Sequence, residues 1–214
     1  MDRSKIGLVI PAYNEANTIF DVVQSASKYG QPIVVNDCSS DETAAIAEEA
    51  GAIVVSHRIN KGYDGALNSG FIEAKKIGCK FIITLDADGQ HNTQLIQDFI
   101  DALDSGADVV LGSRDSKPRF SEHLFALVTK VRFGVNDPLC GMKGYKIEVY
   151  DQLGHFDSYQ SIGTELMLYS VKNDFIYTQI PFKVNQRQDA PRFGNSMKAN
   201  VKILKALYRG RTVK

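Results

Sequence analysis

Five short segments rich in β-branched residues alternate with helical segments, and this alternation constrains the fold more than any other feature. The segments are IGLVIP (6–11), PIVVND (32–37), AIVVSH (52–57), KFIITLD (80–86) and ADVVLGS (107–113). Each is a nearly continuous apolar run, which is typical of strands that are covered on both faces. Strands and helices in this order form a mostly parallel sheet between two layers of helices, with right-handed crossovers. We therefore predict a three-layer α/β fold.

The helical segments between these strands carry signals for their ends. In SSDETAAIAEEAG, Ser39 and Glu42 have the spacing of a capping box, and Gly51 stands where a C-cap is expected. The segment NTQLIQDFIDALDSG opens on Asn or Thr and ends at a glycine. A chain of 214 residues without a linker or repeat is expected to form a single domain, 1–214.

The net charge of zero hides an asymmetry between the two halves of the chain. Residues 1–116 hold 17 acids and 9 bases, a balance of −8, whereas residues 117–214 hold 8 acids and 16 bases, a balance of +8. This distribution suggests that the second half faces something anionic. The two halves, 1–116 and 117–214, are therefore expected to face different ligands.

Neither a membrane span nor a signal peptide is evident. No apolar stretch approaches the roughly 18 residues of a spanning helix, and the first residues enter a strand pattern directly. The three cysteines are widely spaced, which indicates neither a disulfide framework nor a zinc site. We expect a cytoplasmic protein with no nucleic-acid partner.

Polar side chains follow each of the first four predicted strands. They are Tyr13, Asn14 and Glu15, then Asp37 and Ser39, then Asn60, Lys61 and Gly62, and finally Asp86, Asp88 and Gln90. Ligands of open α/β sheets bind beyond the carboxyl ends of the strands, so this edge is the predicted site. The first βα turn, PAYNEAN, lacks the glycines of a dinucleotide fingerprint, and no P-loop sequence is present.

The pair Asp86 and Asp88 ends a strand that is otherwise apolar. Two carboxylates at this position can bind one hard divalent cation, with Gln90 adding an amide oxygen, because Mg²⁺ prefers oxygen ligands and often binds substrate phosphates at the same time. A D-x-D sequence also occurs in ordinary loops and helix N-caps. The position after the fourth strand, beside the other polar turns, favours the metal, Mg²⁺ or Mn²⁺.

Seven segments resemble, in order, the inverting family-2 glycosyltransferases of GT-A fold. They are VIPAYNE, VVNDCSSDET, NKGYDGALNSG, LDADGQH, GSR, DPLCGMKGY and RFGNS. Within that family the chain is most similar to dolichyl-phosphate mannose synthases and bacterial polyprenyl-phosphate transferases. The resemblance runs from about residue 6 to residue 200 and implies transfer of a sugar from a GDP- or UDP-sugar to a polyprenyl phosphate, with a homodimer or a membrane partner subunit left open. It also implies that residues 1–116 bind the nucleotide-sugar and metal and that residues 117–214 bind the acceptor.

The resemblance also implies a set of site residues. The nucleotide-sugar site would consist of Pro11, Tyr13, Glu15, Asp37, Lys61, Asp86 and Gln90. The metal ligands would be Asp86, Asp88 and Gln90. The acceptor site would consist of Arg114, Lys143, Arg192 and Ser196. Asp88 and Arg192 are the expected catalytic groups. Lys143 stands where relatives often carry arginine, Asn36 replaces a frequent aspartate, and Met197 replaces a frequent lysine.

The sequence leaves open whether the acceptor is a phosphate or a sugar hydroxyl, and it also leaves nucleotidyl transfer as an alternative reaction. An ionised phosphate acceptor needs no strong base, whereas a sugar hydroxyl of a growing glycan or lipid-linked saccharide needs one, and Glu165 in IGTELML is the candidate base. A glutamate on a helix surface or at a cap is the preferred interpretation of Glu165. A nucleotidyltransferase could share the core and metal, but PAYNEAN is not its glycine-rich, arginine-bearing loop.

The tail NSMKANVKILKALYRGRTVK carries six bases and no acid, with Val201, Leu204 and Tyr208 at helical spacing. That pattern predicts a basic amphipathic helix lying on anionic lipid. A second basic and apolar stretch lies at 117–133. Taken alone, its apolar residues are expected to form helix core. Together the two stretches favour a peripheral protein at the inner face of a membrane.

Overall fold

The computed structural model of the chain describes residues 2–89, 94–117, 119–183 and 197–210. The strands in these residues are β1 (Ile6–Ala12), β2 (Gln31–Asn36), β3 (Ile53–Ser56), β4 (Phe81–Thr84), β5 (Val109–Arg114), β6 (Lys143–Lys146) and β7 (Tyr177–Phe182). The α-helices are α1 (Ile19–Ala26), α2 (Thr43–Glu49), α3 (Gly62–Lys76), α4 (Leu95–Asp104), α5 (Phe120–Phe133), α6 (Ile147–Leu153), α7 (Glu165–Lys172) and α8 (Met197–Arg209).

The strands form one sheet in the order β3-β2-β1-β4-β6-β5-β7. β6 runs antiparallel to its neighbours β4 and β5, and the other paired strands are parallel. The five predicted strands are all present, with ends that differ by at most two residues. β6 and β7 were not predicted, because KGYK and YTQIPF lack a continuous apolar run.

Helices cover both faces of the sheet, as the predicted three layers require. On one face, Leu8 of β1 packs in a buried cluster with Ile19 of α1 and Phe99 of α4. On the other face, Val9 of β1 joins a second cluster with Phe71 of α3. Consecutive residues of β1 therefore contribute to opposite cores, which explains why the strand is apolar at nearly every position.

The predicted capping box at the start of α2 is wrong. α2 begins at Thr43, and its N-cap residue Glu42 makes no side-chain capping bond, while the Ser39 hydroxyl accepts a hydrogen bond from the Asn14 backbone instead. Asp41 takes over the capping, since its carboxylate accepts from the Thr43 backbone N–H at 3.1 Å. Gly51 follows the helix with φ +94°, the left-handed conformation expected of a glycine at that position.

The second half of the chain is built into the same sheet as the first. β6 lies between β4 and β5, so the strand that begins at Lys143 runs beside the strand that precedes Asp86 and Asp88. The division into a donor half, 1–116, and an acceptor half, 117–214, remains a prediction about function. Within the described ranges, no helix combines the length and the hydropathy needed to cross a bilayer.

Candidate functional site

The loops that follow β1, β2 and β4 are hydrogen-bonded to one another at the carboxyl edge of the sheet. The Glu15 backbone N–H donates to Thr43 Oγ1 at 2.8 Å, which joins the first loop to the start of α2. Thr18 Oγ1 donates to the Ala87 carbonyl at 2.8 Å, which joins the first loop to the residue between Asp86 and Asp88. The structure therefore brings the predicted polar turns together.

The three nucleotide-site residues predicted around β1 differ in exposure. Pro11 lies within β1 and is half-buried, and Tyr13 just beyond it is 44% exposed, so its ring is available for stacking. Glu15 is buried at 7% exposure, and one of its carboxylate oxygens lies 3.2 Å from Thr18 Oγ1. Glu15 thus helps to hold its own loop.

Asp37 is the centre of a buried hydrogen-bond network. Its carboxylate accepts from the backbone N–H groups of Lys61 and Gly62 at 2.8 and 2.7 Å, at the start of α3. A carboxylate at this position satisfies helix N–H groups that have no partner within the helix and faces the positive end of the helix dipole. Lys61 itself is exposed, with its side chain at the rim of this edge.

His57 was not predicted as part of the site, although it directly follows β3 at the same edge. Its side chain is only 4% exposed and lies with Nδ1 2.7 Å from Asp37 Oδ1 and Nε2 2.8 Å from Ser69 Oγ. The sequence could have indicated this role, because His57 directly follows β3, as the other polar turns follow their strands.

Asp86 is half-buried, and the backbone of Gly141 leaves the space that its carboxylate fills. A Cβ atom at residue 141 would lie 2.4–2.5 Å from the two carboxylate oxygens of Asp86. Any larger residue there would displace the carboxylate. Asp88 is also half-buried, and Gln90 lies outside the described residues.

The carboxylates of Asp86 and Asp88 fit a divalent metal in chemical type. Within the described residues no group of three or more acids, histidines or cysteines is placed to hold an ion. A site of two carboxylates is nevertheless what Mg²⁺ uses when substrate phosphates supply the remaining ligands. Because Gly141 has no side chain, the Asp86 carboxylate can occupy this position, which is consistent with such a site.

Lys143 is the first residue of β6 and is buried at 3% exposure. Its place in the acceptor site was predicted from the family resemblance alone. Its Nζ donates to the Cys140 carbonyl at 2.6 Å. Burial lowers the pKa of Lys143, while the nearby groups Cys140, Asp137 and Asp86 act in the opposite direction. Lys143 pairs with Thr84 of β4, so this buried lysine lies next to the strand that leads to Asp86.

Arg114, at the end of β5, is held by two acids that the sequence did not single out. Its Nε and Nη2 donate to the two carboxylate oxygens of Asp137 at 2.7 and 3.0 Å, and Nη2 also reaches Glu122 at 3.2 Å. Burial lowers the pKa of Arg114, but the bonds to Asp137 outweigh this effect and raise it overall. Arg119 pairs with the other oxygen of Glu122 at 2.6 Å. The positive charge of Arg114 is thus largely balanced in place.

Glu165 is the first residue of α7, and its carboxylate holds the preceding loop. The carboxylate lies 2.9 Å from His155 Nε2 and accepts from the backbone N–H and the hydroxyl of Ser158. The residue is 5% exposed, so the interpretation as a surface glutamate is wrong. Three partners already surround the group proposed as a base.

A further acid, Asp64 in the first turn of α3, holds the next part of that loop. Its carboxylate accepts from the backbone N–H groups of Ile162 and Gly163 at 3.2 and 2.6 Å. Burial raises the pKa of Asp64 to about 6, and the charge of Asp157 adds to this effect. A Cβ at residue 163 would lie 3.9 Å from Lys143 Nζ, so this loop borders the buried lysine.

The remaining predicted site residues, Arg192 and Ser196, lie outside the described residues, as does Gly194 of the same segment. Their assignment stays a prediction.

α5 and α8 form a second surface, which is apolar on the outside. The helices pack through Phe125, Ile203 and Ala206. The large apolar side chains that remain exposed are Phe120, Leu124, Leu127 and Val131 on α5, and Met197, Val201, Leu204 and Tyr208 on α8. Both sets have the spacing of one helical stripe. We call these eight residues the α5–α8 face. Of the α5 residues expected to form helix core, Phe125 is buried and Val128 is half-buried, whereas the expectation is wrong for Phe120, Leu124 and Leu127, which are exposed.

Comparisons with known proteins place these features in a family. The family model described as glycosyl transferase family 2 matches residues 8–152. The polyprenol monophosphomannose synthase of Mycolicibacterium smegmatis is 26% identical, over 94% of this chain and 84% of its own length. The UDP-N-acetylglucosamine–dolichyl-phosphate N-acetylglucosaminyltransferase of Methanococcus voltae is 25% identical, over 92% of each chain.

A solved structure is similar along nearly the whole chain. It is glucosyl-3-phosphoglycerate synthase from Mycobacterium tuberculosis in complex with Mn²⁺, uridine diphosphate and phosphoglyceric acid. The two align with a TM-score of 0.76 at 20% identity, over 98% of this chain and 79% of that one. At this identity the likeness shows a common fold, the GT-A fold expected from the sequence.

Proposed function

Because the chain belongs to glycosyl transferase family 2, we propose that it moves a sugar from a nucleoside-diphosphate sugar to the phosphate of a polyprenyl phosphate. Membership of this family makes the chain a glycosyltransferase. The identities of the sugar donor and of the acceptor are what we propose. The relatives from M. smegmatis and M. voltae, named for polyprenol and dolichyl-phosphate acceptors, support this acceptor class.

The observation that carries the proposal is the buried lysine on β6, next to the strand that leads to the acidic pair. Lys143 pairs with Thr84 of the strand that leads to Asp86, is almost fully buried, and donates to the Cys140 carbonyl oxygen. A buried ammonium is costly unless it meets negative charge. A lysine binds a phosphate as a point charge, so an acceptor phosphate next to the donor would complete its environment.

The proposed reaction is a single in-line displacement at the anomeric carbon. An oxygen of the acceptor phosphate forms the new bond to that carbon while the bond to the donor diphosphate breaks, and the nucleoside diphosphate leaves with the electron pair. A phosphate acceptor is already ionised near neutral pH, so this chain needs no general base. Lys143, Arg114 and Arg192 are proposed to position the acceptor, with Ser196 contributing a hydroxyl.

Asp86 and Asp88 would hold Mg²⁺ or Mn²⁺, with Gln90, and the ion would stabilise negative charge on the departing diphosphate. The fit rests on their carboxylate chemistry and on the missing side chain at Gly141, which lets the Asp86 carboxylate occupy its position. Pro11, Tyr13, Glu15, Asp37 and Lys61 are proposed to bind the nucleoside part of the donor.

The alternative, a hydroxyl acceptor with Glu165 as base, is less well supported. The Glu165 carboxylate is engaged by His155 and by two groups of Ser158. A base must be within hydrogen-bond reach of the proton that it removes. Glu165 would first have to release the loop that it holds.

The α5–α8 face supports a peripheral position on a membrane, at the cytoplasmic side. Lys202, Lys205 and Arg209 are exposed beside its apolar stripe, and α8 contains no acid. Basic residues close to an anionic surface contribute about 1 kcal/mol each, and the apolar stripe adds the burial of its side chains. The proposed site and its lipid substrate would then be at the same surface.

The test is transfer of labelled sugar to a short-chain polyprenyl phosphate, with the matching polyprenol as the control acceptor. A panel of UDP- and GDP-sugars with Mg²⁺ or Mn²⁺ serves as donors. We expect product with the phosphate and none with the alcohol. Equal transfer to the alcohol would establish the hydroxyl chemistry instead, and absence of product with every donor would contradict the proposal.

A further inference from the structure

The loop between α6 and α7, residues 154–164, touches both the proposed acceptor site and the α5–α8 helix pair. A Cβ added at Gly163 would lie 3.9 Å from Lys143 Nζ and 3.1 Å from a ring carbon of Tyr63, so the loop backbone lies beside the buried ammonium. The side chain of the preceding residue, Ile162, packs against the buried cluster between α5 and α8. Adjacent residues of one loop therefore contact the two regions.

A second loop, just before β6, makes the same connection. The Cys140 carbonyl accepts from Lys143 Nζ at 2.6 Å, and the neighbouring Leu139 packs against the same α5–α8 cluster. Lys143 is thus bordered by two loops, each anchored on the helix pair by the residue next to the one that meets the lysine. Because protein interiors are close-packed, a shift of the helix pair would move both borders of the lysine.

Ile162 is held in an unfavourable backbone conformation. Its φ is +60°, in the left-handed region that a β-branched residue rarely adopts. Asp64 of α3 fixes the turn, since its carboxylate oxygens accept from the backbone N–H groups of Ile162 and Gly163 at 3.2 and 2.6 Å. A glycine would adopt this φ without strain, so what isoleucine adds here is its packing on α5 and α8.

The end of α8 contacts the same loop a few residues earlier. Arg209 Nη1 donates to the Tyr159 carbonyl at 2.8 Å, and a Cβ at Gly210 would lie 3.5 Å from the Tyr159 hydroxyl oxygen. The loop is therefore supported by α8 at Tyr159 and by the α5–α8 cluster at Ile162.

We propose that Ile162 is a positioning residue for Lys143. Packed on the α5–α8 pair, it holds the loop that borders the ammonium, and in this way α8 sets how well Lys143 binds the acceptor phosphate. This inference rests on the proposed function, in which Lys143 meets that phosphate. It gives α8 two roles: the exposed stripe contacts the membrane, and the buried side supports the acceptor site.

Kinetics of the full-length protein with a water-soluble short-chain polyprenyl phosphate test the proposal, because this acceptor needs no vesicle. Ile162→Gly removes the packing and relieves the strained φ. We expect it to lower kcat/KM for the acceptor about tenfold, since a small misplacement of a positioning group can cost up to about 100-fold. The dissociation constant of the nucleoside diphosphate should not change. Ile162→Val keeps most of the contact and should retain most of the activity.

Gln160→Gly is the matched control. Gln160 is exposed in the same loop and has the same φ of +60°, so this variant relieves a similar strain without touching the helix pair. We expect its kcat/KM for the acceptor to equal that of the wild type. Equal losses in Gln160→Gly and Ile162→Gly would trace the effect to the loop backbone and overturn the role of the Ile162 contact.

A double variant distinguishes positioning from general support of the fold. If Ile162 acts through Lys143, Ile162→Gly should have little further effect in a Lys143→Met background, because the group that it positions is then missing. Additive losses would overturn the positioning role. Thermal unfolding shows whether each variant is folded, and Ile162→Asn, which also tolerates this φ, repeats the test if the glycine variant unfolds.

The outcomes separate this inference from the proposed function. Transfer to the phosphate by the wild type, with an unchanged kcat/KM in a folded Ile162→Gly variant, would overturn the positioning role and leave the transferase proposal intact. Absence of transfer by the wild type to the phosphate acceptor would overturn the proposed function and this inference with it.

Discussion

The carboxyl edge of the sheet and the α5–α8 face are built on opposite principles. At the edge, buried acids such as Asp37, Asp64 and Glu165 accept bonds from fixed donors of this chain. On the face, large apolar side chains stay exposed beside bases. A buried polar network fixes geometry, because each unpaired member would be costly. An exposed apolar stripe is favourable only once another surface covers it. We infer that the edge performs the chemistry and that the face places it at a membrane.

The largest effect is expected at the acidic pair. Asp88→Ala should lower kcat by about a thousandfold, because it removes a ligand of the ion that stabilises the leaving group. Chelation should do the same to the wild type, with activity restored by added Mg²⁺ or Mn²⁺. Steady-state kinetics and a circular dichroism spectrum check both points. Full activity in excess chelator would contradict the metal assignment.

Lys143→Met is expected to have the next largest effect. Loss of the ammonium should lower kcat/KM for the lipid phosphate about a hundredfold, the scale of a lost charged hydrogen bond at a transition state. The dissociation constant of the nucleoside diphosphate should change little. Lys143→Arg is the matched control, since it keeps the charge. A loss confined to nucleotide affinity would move Lys143 to the donor site.

A third prediction concerns stability and needs no substrate. The pKa of Asp64 is raised from 3.8 to about 6 in the folded protein, so the folded state binds this proton more tightly than the unfolded state does. Protonation of Asp64 therefore stabilises the fold as pH falls from about 6 towards 4, by up to about 2–3 kcal/mol.

Asp64→Asn removes that contribution. Denaturant unfolding of both proteins between pH 4 and pH 7 is expected to show the wild type gaining free energy of unfolding relative to Asp64→Asn as the pH falls. A difference that is constant with pH would contradict the linkage.

Substitutions on the α5–α8 face should weaken membrane binding without lowering the activity of the carboxyl edge. Leu204→Glu combined with Tyr208→Glu is expected to weaken binding to anionic vesicles about tenfold at low salt, because it places charge in the apolar stripe. Activity on a water-soluble short-chain acceptor should stay unchanged. Ile72→Glu, an exposed apolar residue of α3, is the control and should bind vesicles normally. Unchanged co-sedimentation of the double variant with vesicles would contradict the assignment of membrane binding to the α5–α8 face.

The smallest effect is expected for Glu165→Gln. The amide can still accept from Ser158, so a phosphate acceptor should be used within about threefold of the wild-type rate. A large loss of kcat with unchanged donor affinity would instead favour the hydroxyl acceptor and Glu165 as base.

Prediction from the sequence succeeded where a local pattern carries the information. The five apolar strands and the three layers follow from runs such as IGLVIP, in which consecutive side chains enter opposite cores. β6 was missed because KGYK is a polar segment that becomes a strand only between β4 and β5. The capping box was wrong because Ser39 has a better partner in the backbone of Asn14.

The sequence by itself therefore determined the α/β fold, the acidic pair after the fourth strand and the basic tail, since each is written in neighbouring residues. Only the tertiary structure decided that Lys143 is buried next to the strand that leads to Asp86, that Arg114 is paired with Asp137, and which apolar residues of α5 stay exposed. It also decided that His57 meets Asp37. The physical reason is that hydrogen bonds, ion pairs and burial join residues far apart in the chain, and only packing of the whole sheet and its helices sets those distances.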